Sequence, residues 1–203
     1  MPEIGSEWHL FEPEGPPAKW PWPAHHRLFA TGRAALRALI LQEEPERLWI
    51  PSYSCHPFYR AVEDLTELRI YRDLPTEVPD LPEDPDGAVV LHDPFGIRGT
   101  LRRPRTGLVI EDHTHAPDAP WAHTSVADYA LASLRKTLPI PDGAVLWSPL
   151  GRSLPDAPPE EEVGAKAAGM RDKARYLAGE PIDKASFRGV LAKGEEALAH
   201  QQG

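Results

Sequence analysis

Apolar residues along this chain recur with two periods. From Gly32 to Gln42 (GRAALRALILQ), Ala35, Leu36, Leu39 and Ile40 return every three or four positions, the spacing that lines one face of a helix. Thr31 stands where a side-chain oxygen caps that helix, and Glu-Glu-Pro ends it. Elsewhere the apolar residues form short runs: Arg47–Pro51, Leu68–Tyr71, Ala88–His92, Gly107–Ile110, Asp128–Leu134 and Ala144–Trp147. Such runs predict strands buried on both faces of a parallel sheet. Ser54–Leu65 has helix character with a proline in its first turn. Past Pro155 the composition turns rich in Ala, Glu, Lys and Arg, and Glu160–Ala178 and Lys184–His200 predict two helices.

Strand runs separated by helix-compatible segments predict an α/β fold, a three-layer α/β/α arrangement around a mainly parallel sheet, with ligand chemistry at the carboxyl edge. The expected organisation is a proline- and tryptophan-rich extended arm over 1–28, a large domain over 29–155 and C-terminal helices over 156–203. The length, 203 residues, suits one substantial core.

Charge narrows the function. With 22 Lys plus Arg against 31 Asp plus Glu, the net charge of -9 repels the phosphate backbone and anionic membranes, so no nucleic-acid or membrane partner is expected. No apolar run approaches the roughly 18 residues of a membrane span, and the acidic start lacks the pattern of a signal peptide. Cys55 is the single cysteine, which fits a reducing compartment, and the chain reads as cytoplasmic.

Three motifs bear chemistry: Thr31-Gly32-Arg33 opening a helix, Glu111-Asp112-His113-Thr114-His115 after a strand, and Ser133-Leu134-Arg135-Lys136. Amides at a helix start attract anions, although a glycine there also serves as a plain turn. Taken alone, Glu111 and Asp112 read as solvated strand-end acids or helix caps; their position after a strand also suits carboxylates placed beside a ligand. His113 and His115 could suggest a metal with Asp112, but the nine histidines are scattered without a matching ligand at a recognisable spacing, so no metal site is expected. A Cys55–His56 pair is disfavoured because adjacent helical residues do not face each other. Lys136 follows an apolar strand, where burial favours Schiff-base chemistry.

Taken in order, Phe29 to Pro149 resembles the large domain of DegT-type sugar aminotransferases, within the fold-type-I superfamily that uses pyridoxal 5'-phosphate. Thr31-Gly32-Arg33-Ala34-Ala35-Leu36 is similar to the family's phosphate-binding Ser-Gly-Thr-x-Ala-Leu, with Arg33 in place of threonine. The resemblance implies phosphate contacts from the Gly32, Arg33 and Ala34 amides and from Ser133. It implies Asp112 at the pyridine nitrogen, His115 near the phenolic oxygen and Lys136 as the catalytic lysine of the internal aldimine. Cys55 stands where the family's ring-stacking aromatic is expected. Also implied are a small-molecule amino donor, a keto sugar nucleotide or other small carbonyl acceptor, a homodimer and a small C-terminal domain, for which only the two predicted helices are present. The alternative is a non-catalytic, truncated aminotransferase-like scaffold that acts as a binding module.

Overall fold

The computed structural model describes residues 8–11, 23, 25–157 and 164–200. Of the expected arm over 1–28, residues 1–7, 12–22 and 24 lie outside the described residues, as does the start of the helix expected from Glu160. Seven strands, β1 (His26–Phe29), β2 (Arg47–Pro51), β3 (Glu67–Tyr71), β4 (Ala88–His92), β5 (Leu108–Asp112), β6 (Tyr129–Ala132) and β7 (Ala144–Trp147), form one sheet in the order β1-β7-β6-β5-β4-β2-β3. Strands β2 to β6 pair in parallel, and β7 runs antiparallel to both β6 and β1. The expected α/β class with a mainly parallel sheet is what the chain forms.

The helices are α1 (Gly32–Glu43), α2 (His56–Arg60), α3 (Pro120–His123), α4 (Gly164–Leu177) and α5 (Lys184–His200). Alternation along the strands fills both faces of the sheet. On one face Leu36, Leu39 and Ile40 of α1 meet Leu48, Val90, Ile110 and Leu131. On the other, Val89, Leu91 and Val109 pack with Tyr71 and Trp121, and Val145 and Trp147 pack with Ala130 and Ala132. Each fully buried aliphatic side chain contributes about 1.5–3 kcal/mol through water-free burial.

Among the elements that differ from the sequence reading, two shape the sheet. Helix α2 stops at Arg60 rather than Leu65, because Val62 and Leu65 donate to carbonyls three residues back in tight turns. Those turns bring the Thr66 hydroxyl to Pro45 O, 2.7 Å away, and launch β3. Strand β1 was not read from the sequence; three of its four residues are polar or outward-facing, as befits a sheet edge.

From β2 the chain crosses to the edge strand β3, then returns to β4 on the other side of β2. The crossover directions reverse there, which opens a crevice at the carboxyl ends of the strands. Beside that crevice, α4 and α5 form a hairpin around Met170, Phe187 and Leu191, and Leu10 packs on it while donating its N–H to Met170 O at 3.1 Å. A β-carbon on Gly194 would lie 2.7 Å from the backbone of Lys166, whereas one on Gly189 meets nothing within 4 Å. In the same helix, Gly189→Ala is therefore expected to stabilise by about 0.5–1 kcal/mol through helix propensity. Gly194→Ala is expected to destabilise by about 1–3 kcal/mol because two backbones must part. Urea unfolding of the two variants checks the opposite signs. No helix among the described residues is long and apolar enough to cross a membrane.

Candidate active site

A cleft of about 370 Å³ opens at the carboxyl ends of β2, β4, β5 and β6, with the mouth of α1 as one wall. That size falls within the usual range for small-molecule sites, about 300–1,000 Å³. Gly32, Arg33, Cys55, Asp112, His115, Ser133 and Lys136 all line it, drawn from four segments of the chain.

At the α1 mouth Thr31 is extended and its Oγ1 accepts the Ala34 N–H at 3.1 Å. The Ala34 amide is thus engaged in the helix cap, and its side chain is buried in the core. The Gly32 and Arg33 amides stand in the first turn, where backbone N–H groups have no intrahelical acceptor. Gly32 fits closely here. A β-carbon on it would come 3.3 Å from both Ser133 Cβ and Phe58 Cε2, filling the space between α1 and the β6 end.

Asp112 closes β5 in register with His92 of β4 and Leu131 of β6. Its Oδ1 accepts the Thr114 N–H at 2.9 Å, and Thr114 Oγ1 in turn accepts the Ser133 N–H at 3.0 Å, so the β5 and β6 ends are locked together. Beyond β5 the chain turns at Thr114 and His115, which sends the two histidines, two residues apart, to different places. His113 is buried behind the sheet, where its Nε2 lies 2.9 Å from Glu111 Oε2 and its ring stacks on Trp147. Its neighbour His115 faces the cleft. Lys136 ends a 3-10 turn, Leu134–Lys136, with its N–H donating to Ser133 O at 3.2 Å and its carbonyl accepting from Trp8 Nε1 at 3.4 Å.

Cys55 precedes α2 as its N-cap residue without a side-chain cap bond. Phe58, three residues on, lines the same cleft. A second aromatic, Phe95, lies parallel to His115, centroids 4.9 Å apart at 15°. Phe95 holds this position with a left-handed φ of 60°, a conformation costly for a non-glycine residue and one that clusters at functional sites. Burial, the neighbouring His92 and Lys136 hold the His115 imidazole below its ordinary value, against the opposing pull of Asp112. Because the folded-state value lies below 6.5, this histidine favours the fold above that pH, and its contribution fades as pH falls through that window. An NMR titration is expected to place its midpoint below 6.5, and Phe95→Ala to move it back upward by removing cover.

Sequence reasoning missed His92, Arg135 and Glu195, all of which line the cleft. His92 is 4% exposed and its Nδ1 has no hydrogen-bond partner among the described residues. Its signal was the polar end of an otherwise apolar strand. Glu195 arrives from α5, where nothing in sequence links it to a sheet edge.

No family model and no curated protein matches the chain. Solved structures do. A 3-amino-5-hydroxybenzoic acid (AHBA) synthase is similar to it with a TM-score of 0.49 at 16% identity, over 64% of this chain and 39% of that one. The serine palmitoyltransferase of Sphingomonas wittichii is similar at 0.45 and 15%, over 88% and 48%. A structure of SPT with its PLP internal aldimine is similar at 0.44 and 16%, over 63% and 39%. The chain thus spans less than half the length of each solved structure it matches.

Proposed function

We propose that this chain is a pyridoxal-phosphate-dependent, aminotransferase-like protein whose cofactor sits in the cleft at the carboxyl edge of the sheet. The observation that supports it is the convergence of Gly32, Asp112, His115, Ser133 and Lys136, from distant parts of the sequence, on one cleft. The residues suit the group. The Gly32 and Arg33 amides and the Ser133 hydroxyl form a small anion cradle that a single β-carbon would fill, and His92 adds a buried ring nitrogen awaiting a partner.

Asp112 would hold a proton at the pyridine nitrogen, its other oxygen fixed by the Thr114 amide. His115, kept neutral by burial, would meet the phenolic oxygen as a hydrogen-bond partner rather than as a second cation. Lys136 would hold the cofactor and, through Nζ, move the proton of the substrate carbon. Pyridoxal phosphate supplies the electron sink for the charge left on that carbon. An amino acid as donor and a keto sugar nucleotide or another small carbonyl compound as acceptor complete the proposed reaction, and a homodimer is the proposed assembly.

Adding pyridoxal phosphate to the purified chain is expected to raise an absorbance band within roughly 300 to 500 nm that borohydride removes and that Lys136→Ala never shows. A band that persists unchanged in Lys136→Ala would sink the assignment. A Lys136-dependent band without amino-group transfer would support the binding-module reading.

A further inference from the structure

Three cations and one carboxylate meet in the corner of the cleft between α1, the Leu134–Lys136 turn and α5. Arg135 Nη1 and Lys166 Nζ both donate to the same oxygen, Glu195 Oε1, at 2.7 and 2.5 Å. Arg33 lines the same corner, half-buried, and makes no hydrogen bond or ion pair among the described residues. Arg135 Nε is buried without an acceptor. Among the described residues the corner therefore presents more guanidinium donors than Glu195, which Lys166 also engages, can accept, in a chain whose overall charge is -9.

We infer that Arg33 and Arg135 form a subsite for an oxyanion of a bound ligand, a carboxylate or a phosphate, and that Glu195 occupies it as an intramolecular competitor. The inference rests on the reading of this cleft as a ligand site. Two planar guanidinium forks match the coplanar oxygens of such a group, and a lysine pair would not. Glu195 shows which chemistry the corner accepts, because a carboxylate already sits there. Its release is inexpensive for a defined reason: Lys166, 3% exposed, remains as its counter-ion, so no buried carboxylate is left unpaired when Arg135 turns to the ligand. The α5 backbone does not have to move. Gly194 is packed against the Lys166 backbone, so the exchange is a side-chain motion on a fixed hairpin. Burial and the adjacent Arg135 hold the Arg33 guanidinium below its ordinary value, as expected for two like charges held together without enough anion. Burial pushes the Glu195 carboxyl up, but Lys166 and Arg135 outweigh it and keep it below the usual range, so the competitor is ionised at neutral pH.

The test is calorimetric titration of the full chain, without cofactor, with inorganic phosphate and separately with glutamate. Glu195→Gln is expected to bind at least one probe about tenfold more tightly than the parent. Adding Arg33→Gln or Arg135→Gln to that variant is expected to weaken binding by about tenfold or more. A response to phosphate alone assigns the subsite to a ligand phosphate; a response to glutamate alone assigns it to a substrate carboxylate. Equal affinity in the parent and Glu195→Gln for both probes overturns the inference, as does binding that survives Arg33→Gln. Arg33 takes part in no ion pair, so its variant keeps the test decisive even if Arg135→Gln fails to fold. Because the titration contains no cofactor, its failure and the absence of the Lys136-dependent band are separate results.

Discussion

Asp73→Ala is expected to remove about 3–5 kcal/mol of folding stability, a large share of the roughly 5–15 kcal/mol that holds a domain of this kind together. Asp73, at the end of β3, is 1% exposed, and its partner Arg98 is 7% exposed. The pair is a two-pronged fork: Arg98 Nη1 donates to Asp73 Oδ2 at 2.9 Å and Nη2 to Asp73 Oδ1, while Nη1 also reaches His92 O at 3.1 Å and Nη2 reaches Leu74 O at 2.5 Å. Without the carboxylate a guanidinium stays buried with only neutral carbonyls for company, and that uncompensated charge, rather than the lost attraction, dominates the cost. The double variant Asp73→Ala, Arg98→Met should accordingly recover much of the loss. Guanidinium or urea unfolding reads both, and a single-variant cost below about 1 kcal/mol would show that water reaches the site. The same change should be felt in the cleft. Arg98 anchors the segment that carries Phe95, and its N–H donates to Asp93 Oδ1 at 3.2 Å, so loosening it should free the Phe95 ring from His115 and shift the histidine's NMR signals.

The second large effect is expected at Asp128, where alanine should cost about 3 kcal/mol. The carboxylate, 1% exposed, accepts the Val109 N–H at 2.8 Å, Arg103 Nη2 at 2.6 Å and Arg152 Nε at 2.8 Å. Both arginines reach solvent, so they are rehydrated when released and contribute little; the Val109 amide at the start of β5 is buried and is not. Asp128→Asn keeps an acceptor for that amide and should therefore cost clearly less than Asp128→Ala. Equal losses for the two would mean that charge, not the amide, sets the value of this residue. Thermal unfolding of the pair distinguishes the two accounts.

What was legible in the sequence was whatever is encoded locally. The α1 stripe with its Thr31 cap, and the apolar runs that became β4, β5, β6 and β7, are decided by burial and by residues a few positions apart. The strand-end acid Asp112 and the position of Lys136 after β6 followed from the same runs. What escaped depends on contacts between distant segments. Strand β1 has no apolar alternation of its own and exists because β7 offers it a ladder. The fate of the Ala34 amide turned on a cap geometry that competes with any ligand for the same N–H. His113 and His115, two residues apart, part company because the chain turns at Thr114 and His115 just past β5. Phe95 adopts a backbone conformation that its residue type does not announce, and Glu195 reaches the cleft only through the packing of α4 on α5.

The placement of β1 also governs the order in which the site is assembled. His26 and Trp147, partners in the β1–β7 ladder, are 121 positions apart in sequence. Helix α1, whose mouth forms one wall of the cleft, follows β1 after only two residues. The loop-closure entropy of that pairing is met only when β7 is in place, so the α1 wall of the cleft is made early in the chain and fixed late in folding. During synthesis the first strand has to wait for the seventh, with an unpaired edge open to other chains until then.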